Sequence, residues 1–187
     1  MGNTLPLIIV FAIAFIGITI LLIYNGLVKA RNMTDESWSG VDVQLKRRRD
    51  LIPNLVTTVQ GYAAHERQTL DAVTEARVVA EAAVVGGARQ AVGAENALTR
   101  SLGGLFLVAE QYPDLKASQN FLQLQKELAN IETNIAGARS IYNGNARNYN
   151  DKVQSFPALV VAGSLGFKTR PYFEATLAER TSVPVGF

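Results

Sequence analysis

FLQLQKELANIETNIAGARSIYNGNARNYNDKV, residues 121–153, decides the fold. Phe121, Leu124, Leu128, Ile131, Ile135, Ala138, Tyr142, Tyr149 and Val153 follow spacings of three and four over more than four heptads, which draws one apolar stripe along an α-helix. At 1.5 Å per residue the segment predicts a helix of about 35 residues and about 50 Å. A stripe of that length needs partner helices to cover it. Upstream, Leu98, Leu102, Leu105, Ala109 and Tyr112 repeat the pattern and stop at the turn signal Tyr112-Pro113-Asp114. Gly103-Gly104 weakens that helix by about 1 kcal/mol per glycine. Further upstream, Leu55, Val59, Tyr62, Leu70, Val73 and Ala80 form a stripe running towards Gly86-Gly87, where a hairpin turn is expected. Trp38, Val41, Leu45 and Ile52 share one more face. A helix break is expected at Asp50-Leu51-Ile52-Pro53, because proline disfavours helix at the residue before it and suits a first turn. Nothing alternates with period two over a useful length.

The N-terminal segment is different in kind. Met1 to Val28 carries no charged side chain, and Leu5–Tyr24 is long enough as a helix to cross the roughly 30 Å hydrocarbon core. Without Lys or Arg before it and without a small-x-small site after it, the segment reads as an uncleaved anchor. Lys29, Arg31 and the run Lys46 to Arg49 all follow the span, which places the N-terminus outside and the large domain in the cytoplasm. The expected fold class is therefore all-α: an N-terminal transmembrane helix followed by a long antiparallel helical bundle of four-helix type. Its organisation is 1–28 anchor, 29–156 bundle, and 157–187 a short apolar and aromatic segment with a tail. Aromatic residues of the last segment are expected to dock on the bundle base or a neighbouring subunit, with the last ten residues loose.

The composition removes several classes of function. The 187 residues are 48% hydrophobic and 18% charged, with no Cys and one His, so disulfide frameworks, thiolate metal sites and most histidine chemistry are out. The net charge of +2 is uneven: residues 1–49 hold six cations and three acids, leaving twelve and thirteen for 50–187. A slightly acidic main domain gives no footprint for nucleic acid. No metal-protease, nucleophile-elbow or phosphate-loop motif occurs. The residues point to no cofactor, metal or small-molecule substrate, and His65 reads as a surface histidine.

Charges do fall inside the apolar stripes. Glu132 and Arg139 lie near the Leu128 line with Asn143 and Asn150 beside them; Glu66 and Arg77 lie in the stripe of Leu55, Tyr62 and Val73; Arg48 and Arg49 flank Leu45. An unpaired buried charge costs several kcal/mol, so cross-helix pairing of Glu66 or Glu132 with Arg48, Arg77 or Arg139 is expected. The cluster Arg48, Glu66, Arg77, Glu132 and Arg139 reads as structural, fixing helix register, rather than as a carboxylate–arginine active site. Lys46 and Arg47 should point outward and offer a contact for anionic lipid or a partner.

Several ungapped strings resemble the LemA family of bacterial membrane proteins. They are Tyr24-Asn25-Gly26-Leu27-Val28, Ser37 to Arg48, Asp50 to Val56, Gly61 to Glu66 and Asn120 to Leu128, with Glu132, Ile135 to Arg139, Tyr142-Asn143, Tyr149-Asn150 and Phe156-Pro157. The likeness covers about the first 173 residues. It implies one N-terminal membrane helix with its N-terminus outside, followed by a long α-helical bundle, and it implies no catalytic residue. The function expected is a non-enzymatic, membrane-anchored scaffold at the bacterial inner membrane, in contact with the bilayer and self-associating, with rings or cages of protomers among its forms. An alternative is a binding module for anionic lipid or a membrane-protein partner through residues 46–49. A third class, a hydrolase using Glu66, Glu132 and His65, ranks last.

Overall fold

A computed structural model of the chain describes residues 4–173, with side chains from residue 7 onward. The order is α1 (Thr4–Gln60), α2 (Arg67–Ala83), a single 3-10 turn (Val84–Gly86), α3 (Ala88–Ala109), α4 (Pro113–Lys116), α5 (Gln119–Gln154) and α6 (Ala158–Ala162). No strand occurs among the described residues. The all-α expectation holds, with α1, α2, α3 and α5 as the long members. α5 has 36 residues, close to the length its stripe predicts.

The turns show how these helices are arranged. Gly87, at φ +79°, occupies left-handed backbone that favours glycine and reverses the chain between α2 and α3. Pro113 sits in the first turn of α4, where its missing N–H costs little. Arg48 meets Glu132, and Asn145 bonds Met33 O, so α5 runs antiparallel to α1. The result is an up-down-up-down bundle at the end of one very long helix.

One expectation is corrected. α1 does not break at Asp50–Pro53; it continues through Pro53 to Gln60, and the corner comes at Gly61–Glu66. Proline has no N–H for the carbonyl four residues back, and its ring crowds that carbonyl. The carbonyl concerned is Arg49 O, and Arg77 Nε from α2 donates to it at 3.0 Å. The neighbouring helix thus supplies the hydrogen bond that Pro53 cannot. Moving the corner also changes Tyr62: it lies in the turn and is exposed, while Leu55, Val59, Leu70, Val73 and Ala80 of its stripe are buried.

The core has three layers along α1. The distal layer joins Ile52, Leu55 and Val59 of α1 to residues of α2 and α3 and to Phe121 and Leu128 of α5. The middle layer packs Val41 and Leu45 against Ile135, Tyr142 and Ala146, with Phe173 beside them. The basal layer holds Leu27 and Ala30 against Tyr149, Val153, Ala162 and Phe167. Beyond Leu27 towards the N-terminus, the apolar side chains of α1 face outward: Leu7, Phe11 and Phe15 are all exposed. A continuous helix whose apolar residues are buried in its C-terminal half and bare in its N-terminal part suits a membrane anchor leading into a bundle.

Residues 168–173 are a strap rather than a detached tail. Asn143 Nδ2 donates to Phe173 O at 2.9 Å while Phe173 N donates to Asn143 Oδ1 at 2.8 Å. Asn150 does the same with Arg170, at 2.9 and 2.7 Å. Seven helical residues advance about 10 Å, as do three extended ones, so the two amides match every third residue of the strap. Phe173 then stacks on Trp38 at 5.5 Å and meets Tyr142 edge-on at 5.7 Å. Docking on the bundle thus agrees with the expectation for this segment; the expected loose last ten residues lie outside the described ones.

Candidate functional site

At the boundary of the middle and distal layers, the helices that carry apolar stripes also bring charges together. Arg48 is fully buried. Its Nη1 donates to Glu132 Oε1 at 2.8 Å and to Thr99 Oγ1 at 3.0 Å, and its Nη2 donates to Glu95 Oε2 and to Glu95 O. Arg49 Nη1 donates to the other oxygen, Glu95 Oε1, and its Nη2 reaches Asp42 Oδ1 at 3.4 Å. Both oxygens of Glu95, itself fully buried, are thus each held by a guanidinium. The guanidinium groups of Arg48 and Arg49 face the carboxylates of Glu95, of Glu132 and, at 3.4 Å, of Asp42, so each buried cation meets opposite charge. That pairing is what permits burial, since an unmatched ion among apolar side chains is strongly disfavoured.

Four helices contribute, and each contribution follows from local sequence. Arg48 and Arg49 point inward because they follow Leu45 by three and four residues. Lys46 and Arg47 point to solvent, and Lys46 pairs with Asp50 at 2.6 Å on the exposed face. Arg77 enters from α2, holding Arg49 O and, at 3.6 Å, Glu81. Glu132 enters from α5 with its side chain 39% exposed, which makes it the rim of the cluster rather than its centre.

The pairing of Arg48 with Glu132 is one that the helical wheels predict. The other expected partners differ: Arg77 pairs with Glu81 of its own helix rather than with Glu66 or Glu132. Among the described residues Glu66 pairs with no arginine; moved into the corner between α1 and α2, it accepts a hydrogen bond from Tyr112 OH at 3.2 Å. Burial first, and the Glu66 carboxylate second, push the Tyr112 hydroxyl above its ordinary 10.0. Arg139 lies 5.0 Å above the Phe173 ring, in the strap region and away from Glu132. His65 is exposed in the same corner as Glu66, and both are remote from Glu132 along the bundle.

The central residue of the cluster, Glu95, is absent from the sequence reading. Its signal was present: Ala91, Glu95, Leu98 and Leu102 continue the three-and-four spacing of α3 one turn upstream, with a carboxylate in an apolar place. Chemically the arrangement holds ions still. Arg48 and Glu95 have no surface to offer a substrate, and among the described residues no three of His, Cys, Asp and Glu converge as a metal site. The open groove on the distal bundle, between Leu51, Asn54 and Thr58 of α1 and Asn120, Gln123 and Glu127 of α5, carries one carboxylate and no paired acid, base or nucleophile.

The chain is similar to known proteins over most of its length. The model of the LemA family matches residues 37–187. Protein LemA of Metamycoplasma hominis is 29% identical over 180 positions, covering 92% of this chain and 82% of that protein. Magnetosome protein MamQ 2 of Paramagnetospirillum magneticum is 28% identical over 195 positions, covering 91% of this chain and 71% of the relative. MamQ of Magnetospirillum gryphiswaldense is 26% identical over the same span. None of these names designates an enzyme. A membrane-anchoring helix, a four-helix bundle beyond it and a family match over most of the length lead to one conclusion: this chain belongs to the LemA family.

Proposed function

We propose that the protein is a non-enzymatic scaffold, anchored in the bacterial inner membrane with its bundle in the cytoplasm, whose copies associate through the sides of their bundles. The observation that carries this reading is the contrast between a closed interior and an unfinished exterior. Inside, Arg48 and Arg49 are paired with the carboxylates of Glu95 and Glu132, and Arg48 and Glu95 have no exposed surface. Outside, Val43 of α1 and Ile141 of α5 are bare, and Val78 and Val79 of α2 are bare on another helix. Two unlike apolar surfaces on different helices suit a head-to-tail contact, which closes into a ring when the rotation permits. Lys29 and Arg31 after the span favour the cytoplasmic orientation.

The binding-module alternative draws on Lys46 and Arg47, both exposed. Twenty-two residues of continuous helix separate Tyr24 from Lys46, about 33 Å, several Debye lengths from the headgroups. A protein partner suits that height better than a lipid does. The test is the mass of the full chain in lipid nanodiscs, wild type beside Val78→Asp/Val79→Asp. Self-association predicts a discrete multimer that the double variant dissociates with its helix content intact; a wild-type monomer overturns the reading.

A further inference from the structure

The bundle's membrane-proximal end carries a feature that neither the anchor nor the scaffold reading uses. From Val153 to Phe167 there is no charged residue, and the turn after α5 together with α6 projects large apolar side chains outward. Phe156 is 83% exposed, Leu159 60% and Val160 72%. Phe156 and Val160, with Val161, form one wall of a groove whose other wall is Ile16, Ile20 and Ile23 of α1, and Leu159 is exposed beside it. The second wall belongs to the membrane-anchoring segment itself.

We propose that this turn is a second membrane-contacting element, a wedge whose Phe156, Leu159 and Val160 enter the acyl chains of the leaflet adjoining the bundle. Three observations support lipid as the occupant. First, the groove is continuous with the anchor, so whatever solvates Ile16 and Ile20 also reaches Val160. Second, several polar groups of the segment bond internally: Ser155 Oγ donates to Asp151 O at 2.6 Å, Ser164 Oγ to Val161 O at 2.8 Å, Leu159 N to Ser155 O and Phe167 N to Ala162 O. Backbone at membrane depth requires such internal pairing. Third, a band of cations lies one layer above the apolar tip. Lys29, Lys152 and Lys168 are exposed there, and Arg31 lies 5.4 Å over the Phe167 ring, which also meets Tyr24 at 5.7 Å. Nine helical residues, about 13 Å, separate Ile20 from Lys29, which puts the band at headgroup height above acyl-embedded side chains. Asp35, Glu36 and Asp151 are acids of that region, against Lys29, Arg31, Lys152, Lys168 and Arg170. Aromatic residues below cations match the order of a membrane interface. With α1 and the wedge both seated, the bundle is held at two points and its tilt is set by the protein rather than left to a single helix.

Because the chain has no Cys, Leu159→Cys accepts one spin label in full-length protein reconstituted in phosphatidylethanolamine–phosphatidylglycerol vesicles. A label in acyl chains shows high collision with oxygen and low collision with a water-soluble nickel chelate; the same label at Leu107→Cys, exposed on α3 of the bundle, shows the reverse. High nickel accessibility at 159 overturns the proposal by placing the turn in water. Protection from both reagents overturns it by placing a second copy or another protein on the wedge. Phe156→Trp supplies a second readout: its emission is lost with brominated acyl chains while that of the native Trp38, about 21 Å up the helix from Tyr24, persists. Equal quenching in Phe156→Trp and the parent rejects insertion.

Discussion

Replacing Arg77 by Met should destabilise the protein strongly only while Pro53 is present. In the native bundle Pro53 leaves Arg49 O without its helical partner, and Arg77 Nε supplies the bond at 3.0 Å. Methionine keeps most of the aliphatic stem and removes the donor. Arg49 is only 5% exposed, so the carbonyl loses its partner in a dry place, at a cost of about 1–3 kcal/mol. The other bond of Arg77, to Glu81 at 3.6 Å, is 26% and 63% exposed at its two ends and adds no more than about 0.5 kcal/mol. In a Pro53→Ala background the residue at 53 has an N–H, the ordinary helical bond to Arg49 O forms, and Arg77→Met should cost only about 0.5 kcal/mol. The double-mutant cycle therefore predicts a coupling of about 1–3 kcal/mol between positions 53 and 77. Urea unfolding in mild detergent, followed by Trp38 fluorescence and far-ultraviolet dichroism, measures all four corners. An equal cost of Arg77→Met in both backgrounds would refute the argument that α2 repairs α1 at the proline.

The buried cluster makes a graded prediction. Glu95→Gln leaves two buried guanidinium groups short of a charge and should cost about 3–5 kcal/mol, whereas Glu132→Gln, at a half-exposed rim, should cost about 1 kcal/mol. The reverse order in chemical unfolding would show that Glu95 is not the centre. Phe173→Ala removes a ring buried among Trp38, Tyr142 and Arg139 and should cost about 3 kcal/mol, with Trp38 emission shifting to the red; unchanged emission would mean the strap does not dock. Alkaline pH gives a signed test. Burial, as the largest cause, raises the hydroxyls of Tyr142 and Tyr149 above their ordinary 10.0, so above that pH the native state holds protons that the unfolded chain has released. Stability from these groups is complete below pH 10 and falls as pH rises through 10 towards the raised values. Tyr142→Phe should lose about 1 kcal/mol at neutral pH with its bond to Pro171 O, and should show a shallower alkaline decline in melting temperature.

Periodicity made most of this fold legible, because a stripe buried over four heptads leaves no other conformation that covers it. The charge-free span before Lys29 was legible for the same reason. The break at Pro53 was misread because the rule for proline is local: nothing in the string around Pro53 reveals that an arginine 24 residues away would donate to Arg49 O. The partner of Glu66 differs from the expected one as a consequence. Moving the corner from Pro53 to Gly61 shifts α2 relative to α1, which carries Glu66 to Tyr112 and leaves Arg77 beside Arg49. Glu95 was missed because its stripe begins with two alanines, Ala91 and Ala94, which give a weak apolar signal. Asn143 and Asn150 were seen in the seam, but their partners are main-chain groups of Arg170 and Phe173, and main-chain groups leave no trace in a sequence.

The account rests most heavily on a bundle that is chemically closed inside and associative outside. The direct measurement is the particle seen by cryo-electron microscopy of the full chain in lipid nanodiscs, with its mass determined on the same sample. The account predicts a discrete, symmetric multimer in which one protomer's Val78 and Val79 abut another protomer's Val43 and Ile141, with the Arg48–Glu95 cluster inside each protomer. A monomer at every concentration, with those side chains facing solvent, would contradict it.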